Sequence, residues 1–454
     1  MTDQRDPIEA WLSADVELLP PRPGAFERVR RRARRRKATR TISAAAGAAV
    51  IVAAAATLPQ VARGLLPGPP SGANKVASSG APGTGRSVGK ISSAPTASGR
   101  ALSGHGPALL GAGTGPRPAA SFRPTSVTFV DAQLGAVLGQ AGSCGTGPCT
   151  VMAGTPNYGN SWRRVGAPPA GPPAASSGVS QVRFLDGSNG WVYGPALYAT
   201  HDGGRNWRRF TVPGPVIDLS TVGSRAFAVI GTRCAGAGSD LATSCSGFVM
   251  YSAAARSDQW RAVTGATGTV PAAPGGLQLT GNVGYLIASG RLYAGPVTRG
   301  AWHFVPAAPT GAPPCLTQPS GRGPWLLAPG AGALYLVCNV SQSAGTQKLD
   351  VYVSRNGGRI WQLSGAVPAT ATSLAVSPGG TGTLVLATTA GIYLSRDART
   401  WQVATLTGPA PKGGFGFVGM TTSAKGVAVP ASPAQHAIFI TSDGGRTWWP
   451  SFIR

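Results

Sequence analysis

Between residues 121 and 454 the side chains suited to acid–base, nucleophilic or metal chemistry are few: nine Asp, three His, six Cys and no Glu. Glycoside hydrolysis needs two carboxylates with opposed roles, so the aspartates decide that question first. Asp202, Asp258, Asp397 and Asp443 fall in turn sequences that recur along the chain. Asp131 and Asp186 hold matching turn positions further upstream in their units, which leaves Asp218, Asp240 and Asp350. Asp218 follows Val216 and Ile217 in what reads as an inner strand, so it is the candidate to face a central channel. A structural or solvent-bridged carboxylate is the plainer reading there. No GxSxG elbow, phosphate loop or HExxH helix occurs, and neither Ser143-Cys144 nor Ser244-Cys245 has a neighbouring His. The sequence assigns no catalytic residue, no cofactor site and no metal site. The expectation is a protein that is not an enzyme.

Cys144, Cys149, Cys234, Cys245, Cys315 and Cys338 contain no CxxC pair, and His105, His201, His303 and His436 are scattered, so zinc-ligand spacing is absent. An even set in a region expected to be exported suggests disulfides. Local pairing, 144–149, 234–245 and 315–338, is the most economical arrangement.

The elements that must position these residues follow from a repeat. THDGGRNW (200–207), SRNGGRIW (354–361) and TSDGGRTW (441–448) are good copies of one motif, and SRDARTW (395–401) is a shortened one. Degenerate copies end at Trp162 (TPNYGNSW), Trp260 (ARSDQW) and Trp302 (VTRGAW). The seven tryptophans are 45, 53, 42, 59, 40 and 47 residues apart, the period of a four-stranded propeller blade. In each motif Ser/Thr opens a tight turn, Asp/Asn accepts backbone N–H groups, and Gly takes the left-handed position. The Trp then sinks its ring beneath the hairpin. Upstream, Val182–Phe210 reads as strands at 182–185, 190–194, 196–200 and from 207. The segments 127–139, 277–295 and 381–401 echo it. The fold class is all-β, a seven-bladed β-propeller of four-stranded antiparallel blades over 121–454, closing by packing of blade seven on blade one.

The motif resembles the Asp-box, or BNR, repeat of sialidases, photosystem II assembly factors and other extracellular propellers. The resemblance spans about 330 residues. It implies the propeller fold and says little of function, because in sialidases the box lies away from the catalytic face. Sialidases use an arginine cluster, a tyrosine nucleophile helped by glutamate, and an acid/base aspartate. Here the glutamate and a FRIP-type arginine segment are both missing.

Residues 1–40 read as a basic cytoplasmic stem carrying all three Glu, three Asp and eleven Lys/Arg. Its Arg28–Arg40 block precedes 41–62, TISAAAGAAVIVAAAATLPQVA, twenty-two residues without a charge. That length spans a bilayer's hydrocarbon as a transmembrane helix, and the flanking charge keeps the N-terminus inside. A retained single-pass anchor in the cytoplasmic membrane is the reading carried forward, with a cleaved signal sequence and a buried Ala-rich helix as alternatives. The leader resembles those of single-pass actinobacterial membrane proteins. Residues 63–120, rich in Gly, Pro, Ser and Ala, read as a disordered linker.

The formal charge is +25, and from residue 124 onward 22 Lys/Arg face nine Asp. Such a surface attracts anionic polymers, although Arg used simply as a default polar residue explains it equally. No recognition helix, zinc-finger spacing or aromatic/basic ladder argues for nucleic acid. The functional expectation is a membrane-tethered, extracytoplasmic recognition or scaffolding propeller whose partner is an anionic cell-wall polymer or an acidic protein. An assembly factor for a membrane complex and a sialidase-like glycoside hydrolase are the alternatives. Contacts are expected in the loops 166–178, 231–247, 264–276, 306–322 and 341–349. Arg208 and Arg209 are candidate contacts, with an ordinary solvated face as their plainer reading.

Overall fold

The computed structural model describes residues 92–93, 115–119 and 121–454, apart from loop segments such as 142–149, 235–244, 318–323 and 341–347. The stem, the apolar segment 41–62 and most of the linker lie outside the described residues. Among those described, no helix is long and apolar enough to cross a membrane.

Seven antiparallel sheets follow one another, each pairing its strands in chain order from the axis outward. The innermost strands are Phe122–Phe129, Gln181–Phe184, Val216–Val222, Ala272–Thr280, Trp325–Gly330, Ala371–Val376 and Phe415–Met420. The outer strands are Arg163–Val165, Arg208–Thr211, Arg261–Gly268, His303–Val305, Gln362–Ala366, Gln402–Val403 and Thr447–Phe452. They define blades one to seven. In blade two the strands are Gln181–Phe184, Gly190–Tyr193, Leu197–Thr200 and Arg208–Thr211, within a residue or two of the sequence reading.

A blade is a sheet with both faces covered, so its core must lie between blades rather than within one. Seven hydrophobic clusters do this, each drawn from two neighbouring blades. The cluster of Phe122, Val137 and Trp162 with Val427, Ile438 and Ile453 joins blade one to blade seven. The ring closes by packing, with both sheets built on their own four strands. Polar bonds reinforce that closure. Tyr158 Oη shares its one proton between the carbonyls of Gly426 (2.7 Å) and Thr441 (2.6 Å), and Trp162 Nε1 donates to Ser451 Oγ at 3.0 Å.

Two blades carry a fifth strand on the outside. Thr405–Leu406 runs parallel to Thr447–Trp448 in blade seven. Ser92–Ser93 pairs antiparallel with Phe210–Thr211 in blade two. Pro116 O accepts from Arg164 N at 2.9 Å, and Pro118 is buried. The segment expected to be an unstructured spacer therefore makes backbone bonds to the propeller at two places.

Candidate recognition surface

The turn motifs explain where most carboxylates go. In blade two, Gly204 N donates to Thr200 Oγ1 (2.9 Å) and Asn206 N to Asp202 Oδ1 (2.9 Å). Blade five repeats this with Gly358 N on Ser354 Oγ and Ile360 N on Asn356 Oδ1, both at 2.9 Å. In blade seven Arg446 N and Thr447 N converge on Asp443 Oδ1, each at 3.0 Å. The blade-one copy, TPNYGNSW, looks degenerate in sequence but makes the same bonds: Gly159 N to Thr155 Oγ1 (2.8 Å) and Ser161 N to Asn157 Oδ1 (2.9 Å). Tyr158 accepts the left-handed backbone there, with φ 56°, and its ring reaches blade seven. Its hydroxyl is pushed well above the usual tyrosine range by burial, against the two carbonyl bonds. A Cβ on Gly358 would lie 2.1 Å from Leu292 Cδ2 of blade four, so this turn sits tight against the preceding blade.

Each motif tryptophan packs into the seam with the blade before its own. Trp162, Trp260, Trp302, Trp361 and Trp448 are buried. Trp207, expected to be a core anchor, and Trp401 are only half-buried. Their indole N–H groups reach across the seam to Gly166 O and Ala366 O, both at 3.0 Å.

Asp397 carries the shortened blade-six turn. It accepts from Thr400 N (2.8 Å) and Arg399 N (2.9 Å), which hold its carboxyl well below the usual range. Asp131 and Asp186 take N–H groups in the first turns of their blades, as expected. Asp258 corrects the sequence reading. It lies in the degenerate turn of blade three, but its carboxylate leaves that turn and crosses to blade two. There it meets His201 Nε2 and Arg208 Nη1, both at 2.9 Å. The other ring nitrogen, Nδ1, lies 2.9 Å from Asn189 Oδ1. Asn189 Nδ2 is committed to Asp186 at 2.9–3.0 Å, which fixes the amide orientation. A carbonyl oxygen thus faces one ring nitrogen of His201 and a carboxylate faces the other. The His201 hydrogen bond, with Arg208 adding to it and burial opposing, keeps the Asp258 carboxyl below the usual range. Arg208 is therefore a seam residue although, like Arg209 beside it, it is exposed.

The innermost strands of all seven blades line a central cavity of about 790 Å³. Asp218 does face it, and is the one carboxylate among the described lining residues. It is buried, and Oδ2 accepts Leu277 N of blade four at 3.2 Å, so it ties two inner strands together. Asp350 stands outside the cavity in the third strand of blade five, and Asp240 lies outside the described residues. The disulfides Cys234–Cys245 and Cys315–Cys338 form as expected; 144–149 falls outside the described residues. Among the described residues no group of His, Cys, Asp or Glu is arranged to hold a metal ion.

A second cavity, about 550 Å³, is a groove between blades five and six, lined by Tyr335, Arg355, Ile360, Leu363, Arg396 and Arg399 among others. Of the expected contact loops, 235–244, 318–322 and 341–347 lie outside the described residues, and nothing in the sequence singled out this groove. The missed signal is positional. In every blade the residue two after the motif Trp pairs with the same third-strand position: Ala153↔Arg164, Tyr198↔Arg209, Tyr251↔Ala262, Tyr293↔Phe304, Tyr352↔Leu363, Tyr393↔Val403 and Phe439↔Pro450. Blades one and two carry Arg there. Blades four to six carry Phe304, Leu363 and Val403, exposed by 49%, 57% and 70%.

No family model matches the chain, and no curated protein matches it. Solved structures do match at the level of fold. A structure of YCF48 bound to D1 peptide is 16% identical, with TM-score 0.44, covering 73% of this chain and 93% of its own. YCF48 from Cyanidioschyzon merolae is 14% identical, TM-score 0.43, covering 72% and 95%. The α-L-arabinofuranosidase Arb93A from Fusarium graminearum, with an iminosugar inhibitor, is 10% identical, TM-score 0.38, covering 73% and 95%. One is described with a peptide and another with a sugar mimic, and at these identities the likeness is one of fold alone.

Proposed function

We propose that this protein is a non-catalytic recognition propeller, tethered to the outer side of the cytoplasmic membrane by 41–62, that binds an anionic partner. The observation that carries the reading is the uneven use of charge. Seven of the eight described aspartates are occupied as acceptors, in turns or between blades. Among the described residues the ion pairs all fall on Asp258, and none involves Arg164, Arg209, Arg355, Arg396 or Arg399 of the outer rim. An acidic protein is favoured over a wall polymer, because the same rim exposes Phe304, Leu363 and Val403. Apolar side chains give nothing to a sugar-phosphate chain and are ordinary anchors at a protein interface. Helping to assemble a membrane complex is one form such recognition takes.

The non-catalytic part rests on Asp218, the lone described channel carboxylate, which is occupied by Leu277 N. A panel of aryl glycosides incubated with the purified full chain should show no turnover. Turnover that disappears in Asp218→Asn and survives in Asp443→Asn would replace this reading with a glycosidase. For the tether, added protease should remove the propeller from wall-stripped cells, and full protection would overturn that placement.

A further inference from the structure

The blade-two to blade-three seam shows what the blade-five to blade-six groove lacks. His201 follows the motif's opening Thr200, and Arg355 follows Ser354 at the same position of blade five. Arg208 pairs with Ala199 in register, as Gln362 pairs with Val353. In blade two this position receives a carboxylate, Asp258, from the next blade. In blade five the next blade offers Arg396, Arg399 and an Asp397 already bound by four donors of its own turn. Arg399 Nε donates to Ser364 O at 3.2 Å. Among the described residues, no carboxylate lies within ion-pair distance of Arg355, Arg396 or Arg399.

The groove also holds a large apolar side chain that no other turn carries at its position. The residue before the motif Trp is polar in blades one, two, three, six and seven, where Asn206, for example, bonds Asp202 at 2.6 Å, and is the small Ala301 in blade four. In blade five it is Ile360, 54% exposed, with Leu363 beside it in the groove.

Resting on the anionic-partner reading, we propose that this groove is the docking site for an extended acidic–apolar segment of a partner protein. One carboxylate of the segment takes the place that Asp258 fills at the other seam, between Arg355 and Arg396. An apolar side chain next to it covers Ile360 and Leu363. Arginine with flanking apolar surface is the composition of a binding hot spot, and about 550 Å³ accommodates a few side chains.

The test uses the purified full chain and a short fluorescent peptide alternating Asp with Leu, followed by anisotropy at near-physiological salt. Two control peptides replace Asp by Asn or Leu by Ser, and polyphosphate serves as a purely ionic competitor. Arg355→Gln/Arg396→Gln and, separately, Ile360→Ser/Leu363→Ser should each weaken binding about tenfold or more, the scale of one lost charged or well-packed contact. Arg163→Gln/Arg164→Gln on the outer strand of blade one, which removes the same net charge, should change it less than about twofold. Both control peptides should bind more weakly than the parent. Equal losses in the blade-one and groove variants would overturn the site while leaving anionic recognition intact. Binding of polyphosphate that matches the parent peptide and ignores Ile360→Ser/Leu363→Ser would overturn the protein segment in favour of a polyanion. No binding by any anionic probe would sink the underlying reading as well.

Discussion

At the seam between blades two and three, Asp258 crosses from one blade to hold His201 and Arg208 of the other. At the seam between blades five and six, the corresponding aspartate, Asp397, stays home and closes its own turn. The difference begins in the motif. ARSDQW lacks the paired glycines that let the chain double back, so the Asp258 carboxylate has no ring of turn N–H groups to accept from. SRDARTW, though short, keeps a left-handed residue, Ala398 at φ 59°, and with it a full set of donors. One carboxylate can close a turn or bridge a seam, and the choice decides whether the basic residues across from it are satisfied. A degraded repeat therefore makes a finished structural seam, and a better-preserved one leaves a basic groove open.

The largest expected effect lies in the tryptophans of two other seams, where burial alone sets the difference. Trp448 is fully buried between blades six and seven, so Trp448→Ala should cost about 3–5 kcal/mol. Trp207 is half-buried at the seam between blades one and two, and keeps its N–H on Gly166 O. Its alanine variant should cost about half as much. Urea denaturation of the two proteins measures both, and equal losses would mean that exposure does not rank the seams.

Next in size is the bridge itself. Asp258→Ala removes the carboxylate and leaves His201 and Arg208 to solvent, because both are partly exposed. The expected cost is about 1 kcal/mol, the upper part of the range for surface pairs. His201→Ala should cost no more, and the double variant should cost less than the sum of the two. An additive double-mutant cycle would show that the pair is not coupled.

Acid should loosen the bridged seam together with the turns that other aspartates close. Asp258 has its folded pKa depressed, first by the His201 hydrogen bond and then by Arg208, with burial opposing. Asp186 is also depressed: burial raises it, and the N–H groups of Asn189 and Ser188 outweigh that. A depressed carboxylate contributes stability above its unfolded pKa and loses it as pH falls through the folded value. Stability should therefore fall below about pH 4, and Asp258→Asn should flatten part of that fall. Arg355→Gln/Arg396→Gln should leave it unchanged. Denaturation midpoints between neutral and acid pH give the answer, and an unchanged slope in Asp258→Asn would remove Asp258 from the account.

These seams also mark how far sequence reasoning reaches. The blade count and strand positions were legible because Ser/Thr, Asp/Asn, Gly and Trp recur with a local purpose, each acting within a few residues of its neighbours. Asp131, Asp186, Asp202, Asp397 and Asp443 were placed correctly for that reason. Asp258 was misread because its partners are 50 and 57 residues away, and only blade packing brings them together. The Tyr158 latch was hidden the same way, looking like a defect in a turn until Gly426 and Thr441 came within reach of its hydroxyl. The groove was invisible as a motif, since Arg355, Leu363 and Arg396 come from separate strand ends. Aligning blades by the residue two after each Trp would have exposed the switch from Arg164 and Arg209 to Phe304, Leu363 and Val403.

The smallest expected effect bears hardest on function. Arg355 and Arg396 are exposed and line one groove, with no described carboxylate within ion-pair distance of either. Removing both should leave stability within about 0.5 kcal/mol of wild type, as for surface residues outside any network. Relief of like-charge repulsion should show as a slight gain, larger at low salt, where screening is weakest. Asp258→Ala at the other seam should lose more than this double variant does, although it removes one side chain and not two. Urea denaturation at low and moderate salt makes the comparison directly. A loss above about 1 kcal/mol in Arg355→Gln/Arg396→Gln would show that these arginines hold blades five and six together. Weakened peptide binding would then be a consequence of a disturbed seam. A neutral result, alongside a tenfold loss of peptide binding, would separate a surface built for a partner from one built for the fold.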